Sequence, residues 1–119
     1  MEVQNEVVTT LMKARDILKN GWCRRKLRDG DRYCIKGAIF QACGVPLIQS
    51  PYSKYEKVTI PDSRHPKFGF AEKVIEILNK MLGMYAFLWN DAKTRTHEEV
   101  VELFDKAIEQ ERAKCLESV

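Results

Sequence analysis

Apolar residues recur in steps of three and four over most of this chain, a spacing that predicts a mainly α-helical fold. From Val3 to Lys19 the stripe runs Val3, Val7, Leu11, Ala14 and Leu18, one face of an amphipathic helix. Asn20 and Gly21 supply its stop, since glycine accepts the left-handed geometry that ends helices. A second helix is predicted from Arg32 to Cys43, capped by Asp31 or Asp29 and ended by Gly44 and Pro46. Glycine within a helix costs about 1 kcal/mol relative to alanine, so Gly37 signals close approach of another helix or of a ligand. The third helix, Phe68 to Leu82, is the most apolar. Phe70, Val74, Ile77, Leu78 and Met81 form its stripe, Ile75 and Leu82 widen it, and Gly83 ends it. The fourth starts at a capping box, Thr96 with Glu99, and buries Val100, Phe104, Ala107, Ile108 and Cys115.

Between these helices the pattern breaks. Trp22 to Asp31 has no sustained period, and Asp29-Gly30-Asp31 is turn chemistry, consistent with a loop or a tight hairpin. Val45 to Pro66 is a long connection holding Pro46, Pro51 and Pro61. Tyr52 and Tyr55 are expected to pin it, and Lys57 to Ile60 reads as a short strand without an identifiable partner. Met84 to Trp89 reads as an apolar link. The expected architecture is one domain over residues 1–119, all-α in the main, with about four helices and one long proline-containing loop.

Composition narrows the class. With 119 residues, 45% hydrophobic and 31% charged, the chain is neither disordered nor low-complexity. No apolar run approaches the ~18 residues of a membrane span, and Met1 to Asn5 does not begin a secretory signal. The expected location is the cytoplasm, where Cys23, Cys34, Cys43 and Cys115 stay free thiols. Cys23, Cys34 and Cys43 make no C-x-x-C pair, and Cys34 and Cys43 fall on opposite faces of a regular helix. Neither a metal nor a cofactor is expected, and no oligomeric state can be read from the residues.

Charge adds a candidate surface. The net charge is +3, but Gly21 to Lys36 holds six bases against two acids, and Thr96 to Arg112 six acids against two bases. The basic residues are Arg24, Arg25, Lys26, Arg28, Arg32 and Lys36, flanked by Trp22 and Tyr33. Cations beside rings suit phosphates and bases, though a merely solvated loop has the same composition, and no helix-turn-helix or zinc finger is legible. If the two segments attract each other within one molecule, the loop is closed to partners.

Three groups of residues then fall into a pattern: Trp22-Cys23, then Cys34 with Gly37 and Ala38, then Trp89-Asn90-Asp91 with Arg95, Thr96, Glu99 and Val100. Together they resemble a family of small bacterial and phage proteins known only as a domain of unknown function. The resemblance covers nearly the whole chain and implies a bacterial or phage origin, but no activity, substrate or cofactor. Arg24-Arg25-Lys26 lies outside these motifs.

Three functions stay open. The leading one is a non-enzymatic binding module, a phage or bacterial accessory protein docking on nucleic acid or an acidic protein surface through the basic loop. The second is an enzyme using Cys34, near a helix N-terminus that favours the thiolate, with His65 or His97 as base and Asn90 or Asp91 as orienting group. The third is a small-ligand binder gripping its ligand with Asn90, Asp91 and Arg95. The same three residues also suit a structured turn, because Asn and Asp side chains mimic backbone turns.

Overall fold

A computed structural model describes residues 5–50 and 59–117. Helix α1 (Glu6–Asn20) starts where Asn5 Oδ1 accepts from the amides of Val7, at 2.9 Å, and Val8. Val8, Leu11, Ala14 and Leu18 face the core, and Val7 packs half-buried beside them; Val3 falls outside the described residues. Gly21 does end the helix, but in extended rather than left-handed backbone (φ 168°). It is small for a steric reason: a Cβ there would meet Arg32 Cγ at 2.8 Å and the Asp31 carbonyl oxygen at 3.1 Å.

The basic segment is the hairpin alternative. Strands β1 (Arg28–Asp29) and β2 (Arg32–Tyr33) pair antiparallel, Arg28 opposite Tyr33 and Asp29 opposite Arg32. Gly30 at φ 63° supplies the positive φ that two-residue hairpins need. This use of residues 29–33 shifts the next helix. Helix α2 is Ile35–Ala42, not Arg32 to Cys43, and its cap is Cys34 rather than Asp31 or Asp29. The Cys34 sulfur accepts from the Gly37 amide at 3.3 Å.

The strand expected near residues 57–60 exists as β4 (Thr59–Pro61), and its partner is β3 (Leu47–Gln49). They pair antiparallel with Ile48 opposite Ile60. Tyr52 and Tyr55 lie outside the described residues. Helix α3 (Phe68–Leu82) ends at Gly83 in the left-handed conformation (φ 67°). Its deeply buried face is Ala71, Val74, Ile75 and Leu78, with Phe70 and Met81 flanking it half-buried. The supposed apolar link contains a short helix, α4 (Ala86–Asn90), so five helices rather than four are present among the described residues.

The capping box of helix α5 (His97–Glu117) forms as expected. The Thr96 amide donates to Glu99 at 3.0 Å and the Glu99 amide to the Thr96 hydroxyl at 3.2 Å. The Thr96 amide also holds the Glu99 carboxyl below its usual pKa, helped by Arg95. Val100, Leu103, Phe104, Ala107 and Ile108 meet α1 and the other helices in one core. Cys115 is only half-buried, and its sulfur accepts from Asn5 Nδ2 at 2.7 Å, tying the start of α1 to the end of α5. No helix of the described residues is long and apolar enough to cross a membrane.

A candidate anion-binding cleft

Three segments are pulled together around one buried amide. Asn90, at the end of α4, is fully buried. Its Oδ1 accepts from Trp22 Nε1 at 2.8 Å and from the Ile35 amide at 3.1 Å. Its Nδ2 donates to the Cys23 carbonyl at 3.2 Å and to Asp91 Oδ1 at 3.0 Å. Two lone pairs and two hydrogens are all that an asparagine side chain offers, and all four are used within the fold. Asp91 Oδ1 also accepts from the Arg25 amide at 2.8 Å. That bond holds Arg25 in the left-handed region (φ 67°), a conformation costing about 1 kcal/mol for a residue with a Cβ.

A second clamp fixes the loop against α2. A Cβ on Gly37 would lie 1.9 Å from the Leu27 carbonyl oxygen, and that same oxygen accepts from the Cys34 amide at 3.2 Å. Gly37 therefore does mark a close approach, but of the loop backbone rather than of another helix or a ligand.

Between the clamped loop, the start of α2 and α4 lies a cleft of about 470 Å³. Arg25, Lys26, Arg28 and Lys36 line it, with Asp91 as the single acid among the described residues and Phe87 on the α4 side. Cys34 and Asn90 form part of its wall, as does Thr59 at the head of β4. Arg25 and Lys26 are exposed, and neither side chain has an ion-pair partner among the described residues. Lys36 stands with Nζ 5.5 Å from the Phe87 ring, a cation–π distance. Arg28 donates Nε to the Gly30 carbonyl at 2.7 Å and lies over Tyr33.

The remaining residues expected from sequence serve the scaffold. Arg24 lies 4.7 Å over Trp22 and donates to the carbonyls of Lys93 and Arg95. Trp22 in turn stacks on His97 at 6.1 Å. Arg32 pairs with Asp29 at 2.7 Å. Arg95 sits 3.7 Å over the Trp89 ring, donates to the Trp89 carbonyl at 3.0 Å, and pairs with Glu99 at 2.9 Å. Asn90 and Asp91 thus act together in holding the loop, whereas Arg95 serves Trp89 and Glu99 and does not line the cleft. Among the described residues no ion pair joins a base of the 24–36 segment to an acid of α5.

Cys34 sits differently from the expectation. As cap rather than third helical residue it is buried, and burial pushes its thiol up to about 11 against the pull of the Gly37 amide. Desolvation outweighs the amides of Gly37 and Lys36, so the thiol stays protonated at neutral pH. His97 Nε2 is engaged with the Leu18 carbonyl, and His65 Nδ1 accepts from the Lys67 amide at 3.1 Å. Neither histidine hydrogen-bonds to Cys34 among the described residues. Burial also raises Cys23 and Cys43, and all four cysteines are free thiols. No three potential metal-ligating side chains come together among the described residues.

Sequence reading missed Phe87 and Leu27. An apolar residue in a supposed link carries no signal of its own, and a backbone carbonyl carries none at all. No curated protein and no solved structure matches the chain. A family profile described as "Family of unknown function (DUF6197)" matches residues 2–110, and with nearly its whole length covered the chain belongs to that family.

Proposed function

We propose that this protein is a non-enzymatic binding module that docks on nucleic acid, its basic cleft taking the phosphate backbone. The observation that carries this reading is the convergence of Arg25, Lys26, Arg28 and Lys36 on one concavity where the described residues supply one acid. Asp91 is there for a structural reason, as the acceptor of the Arg25 amide, and leaves the described lining with a net charge of +3. The N-terminal end of α2 forms one wall and adds its partial positive charge. Phosphates repeat along every nucleic-acid chain, and a rigid basic concavity focuses the field that draws them in.

The two other readings draw less support. A cysteine enzyme needs a base on its thiol, and Cys34 gives its sulfur to the Gly37 amide instead. A small-ligand site on Asn90, Asp91 and Arg95 needs unused polar atoms, and those of Asn90 are spent on Trp22, Cys23, Ile35 and Asp91. An accessory role in the cytoplasm of a bacterium or a phage-infected cell goes with the reading, in line with the four free thiols and with the resemblance of the motifs to those of bacterial and phage proteins.

The test is a fluorescence-anisotropy titration of labelled DNA and RNA at several salt concentrations, with wild type beside Arg25→Ala/Lys26→Ala. Binding is expected to fall steeply with salt. The double variant is expected to show a log–log slope shallower by about 1 for each phosphate it no longer neutralises. No binding by wild type even at low salt overturns the reading.

A further inference from the structure

We infer that the nucleic acid taken by this cleft is single-stranded, and that Phe87 and Tyr85 form a stacking platform for its unpaired bases. The inference rests on the nucleic-acid reading above and adds the strandedness of the ligand. It comes from the rim of the cleft rather than from its charge. Phe87 is 42% exposed and Tyr85 61%, an unusual state for two large rings on one short segment. They lie against each other, centroids 5.6 Å apart and planes inclined by 25°, which orders both rings while leaving them open to solvent.

Phe87 belongs to two concavities at once. One is the basic cleft; the other is a groove of about 440 Å³ running along α3, which Tyr85 also lines, with Lys36 and Lys73 balanced by Glu72 and Glu76, so that it takes bases rather than phosphates. A strand whose phosphates sit among Arg25, Lys26 and Arg28 can therefore lay successive bases over Phe87 and Tyr85. Lys36, touching both concavities, is placed for the phosphate between them. Cations tracking a backbone beside aromatic rings are how proteins bind single strands with little sequence preference. A duplex has no use for the rings, because its bases are already stacked on each other.

The experiment compares four labelled probes at one low salt concentration: a 15-nucleotide single strand, its duplex, the same strand with abasic residues throughout, and a polyglutamate peptide. Phe87→Ala and Phe87→Tyr run beside wild type; position 87 is exposed enough for both to fold, and the second keeps the ring. The single strand is expected to bind about tenfold tighter than the duplex and the abasic strand. Phe87→Ala is expected to lose about tenfold on the single strand only, and Phe87→Tyr to restore it. Abasic and normal strands binding alike, or the duplex binding as well as the single strand, overturns the platform and leaves the phosphate cleft standing. Polyglutamate binding as tightly as the nucleic acids, or no binding of any nucleic acid, overturns both.

Discussion

The indole N–H of Trp22 and the side-chain oxygen of Asn90 meet at 2.8 Å across 68 residues of sequence. This bond, with the three others of Asn90, fastens the entry of the basic loop to α2 and α4. Replacing Asn90 by alanine strands the Trp22 and Ile35 donors and the Cys23 carbonyl in a buried setting. Each stranded group costs about 1–3 kcal/mol, partly recovered by water, so a loss of about 2–4 kcal/mol is expected in urea unfolding. A loss under about 0.5 kcal/mol contradicts the role given to Asn90.

Two glycine-to-alanine substitutions are expected to move stability in opposite directions. At Gly37 the new methyl collides with the Leu27 carbonyl, an overpacking that costs about 1–3 kcal/mol and displaces the loop. At Gly69, in the first turn of α3, a Cβ meets nothing within 4 Å, and alanine should stabilise by about 0.5–1 kcal/mol. Thermal melts of the two variants check both signs.

Asp91 holds the loop through its oxygen yet places a negative charge in the cleft. Asp91→Asn keeps an acceptor for the Arg25 amide and removes the charge. Affinity for a polyanion should then rise about two- to fivefold at low salt, a gain that fades as salt screens it. Anisotropy against the same oligonucleotide measures it; unchanged or weaker binding speaks against phosphates lying near Asp91.

The Cys34 thiol titrates at about 11 when folded and at about 9.0 when exposed. Between these values the unfolded chain has lost a proton that the folded chain keeps, so stability falls as pH rises from about 9 to 11. The expected fall from this group is about 2 kcal/mol by pH 11, and burial of Cys23 and Cys43 acts in the same direction. Cys34→Ser retains an N-cap oxygen without the titration. Its unfolding free energy should lose about that much less than wild type over the same pH range.

Helices α1, α3 and α5 were legible because each carries a period of 3.6 and a chemical boundary, most plainly the Thr96–Glu99 box. The start of α2 was not, because Asp31 is a stronger cap by residue type than Cys34 but is consumed by the hairpin turn. Helix α4 is five residues of apolar sequence, too short to display a period. The partner of β4 lies ten or more residues upstream, and pairing at that range leaves no local mark. The basic side of the cleft was visible as composition in Arg25, Lys26, Arg28 and Lys36. Its opposite side was not, since Phe87 is placed there by Asn90, by the buried Ala86 and by the Asn79 side chain that accepts from the Ala86 amide, contacts no spacing rule connects.

The most direct test of the cleft is an amide NMR titration of the isotope-labelled protein with a short single-stranded oligonucleotide. Shifts are expected at Arg25 to Arg28, at Cys34 to Gly37 and at Phe87 to Asp91, with α5 beyond Glu99 unmoved. Shifts confined to α1 and α5, or none at concentrations where phosphate binding should saturate, would contradict the claim that this concavity is where the protein binds.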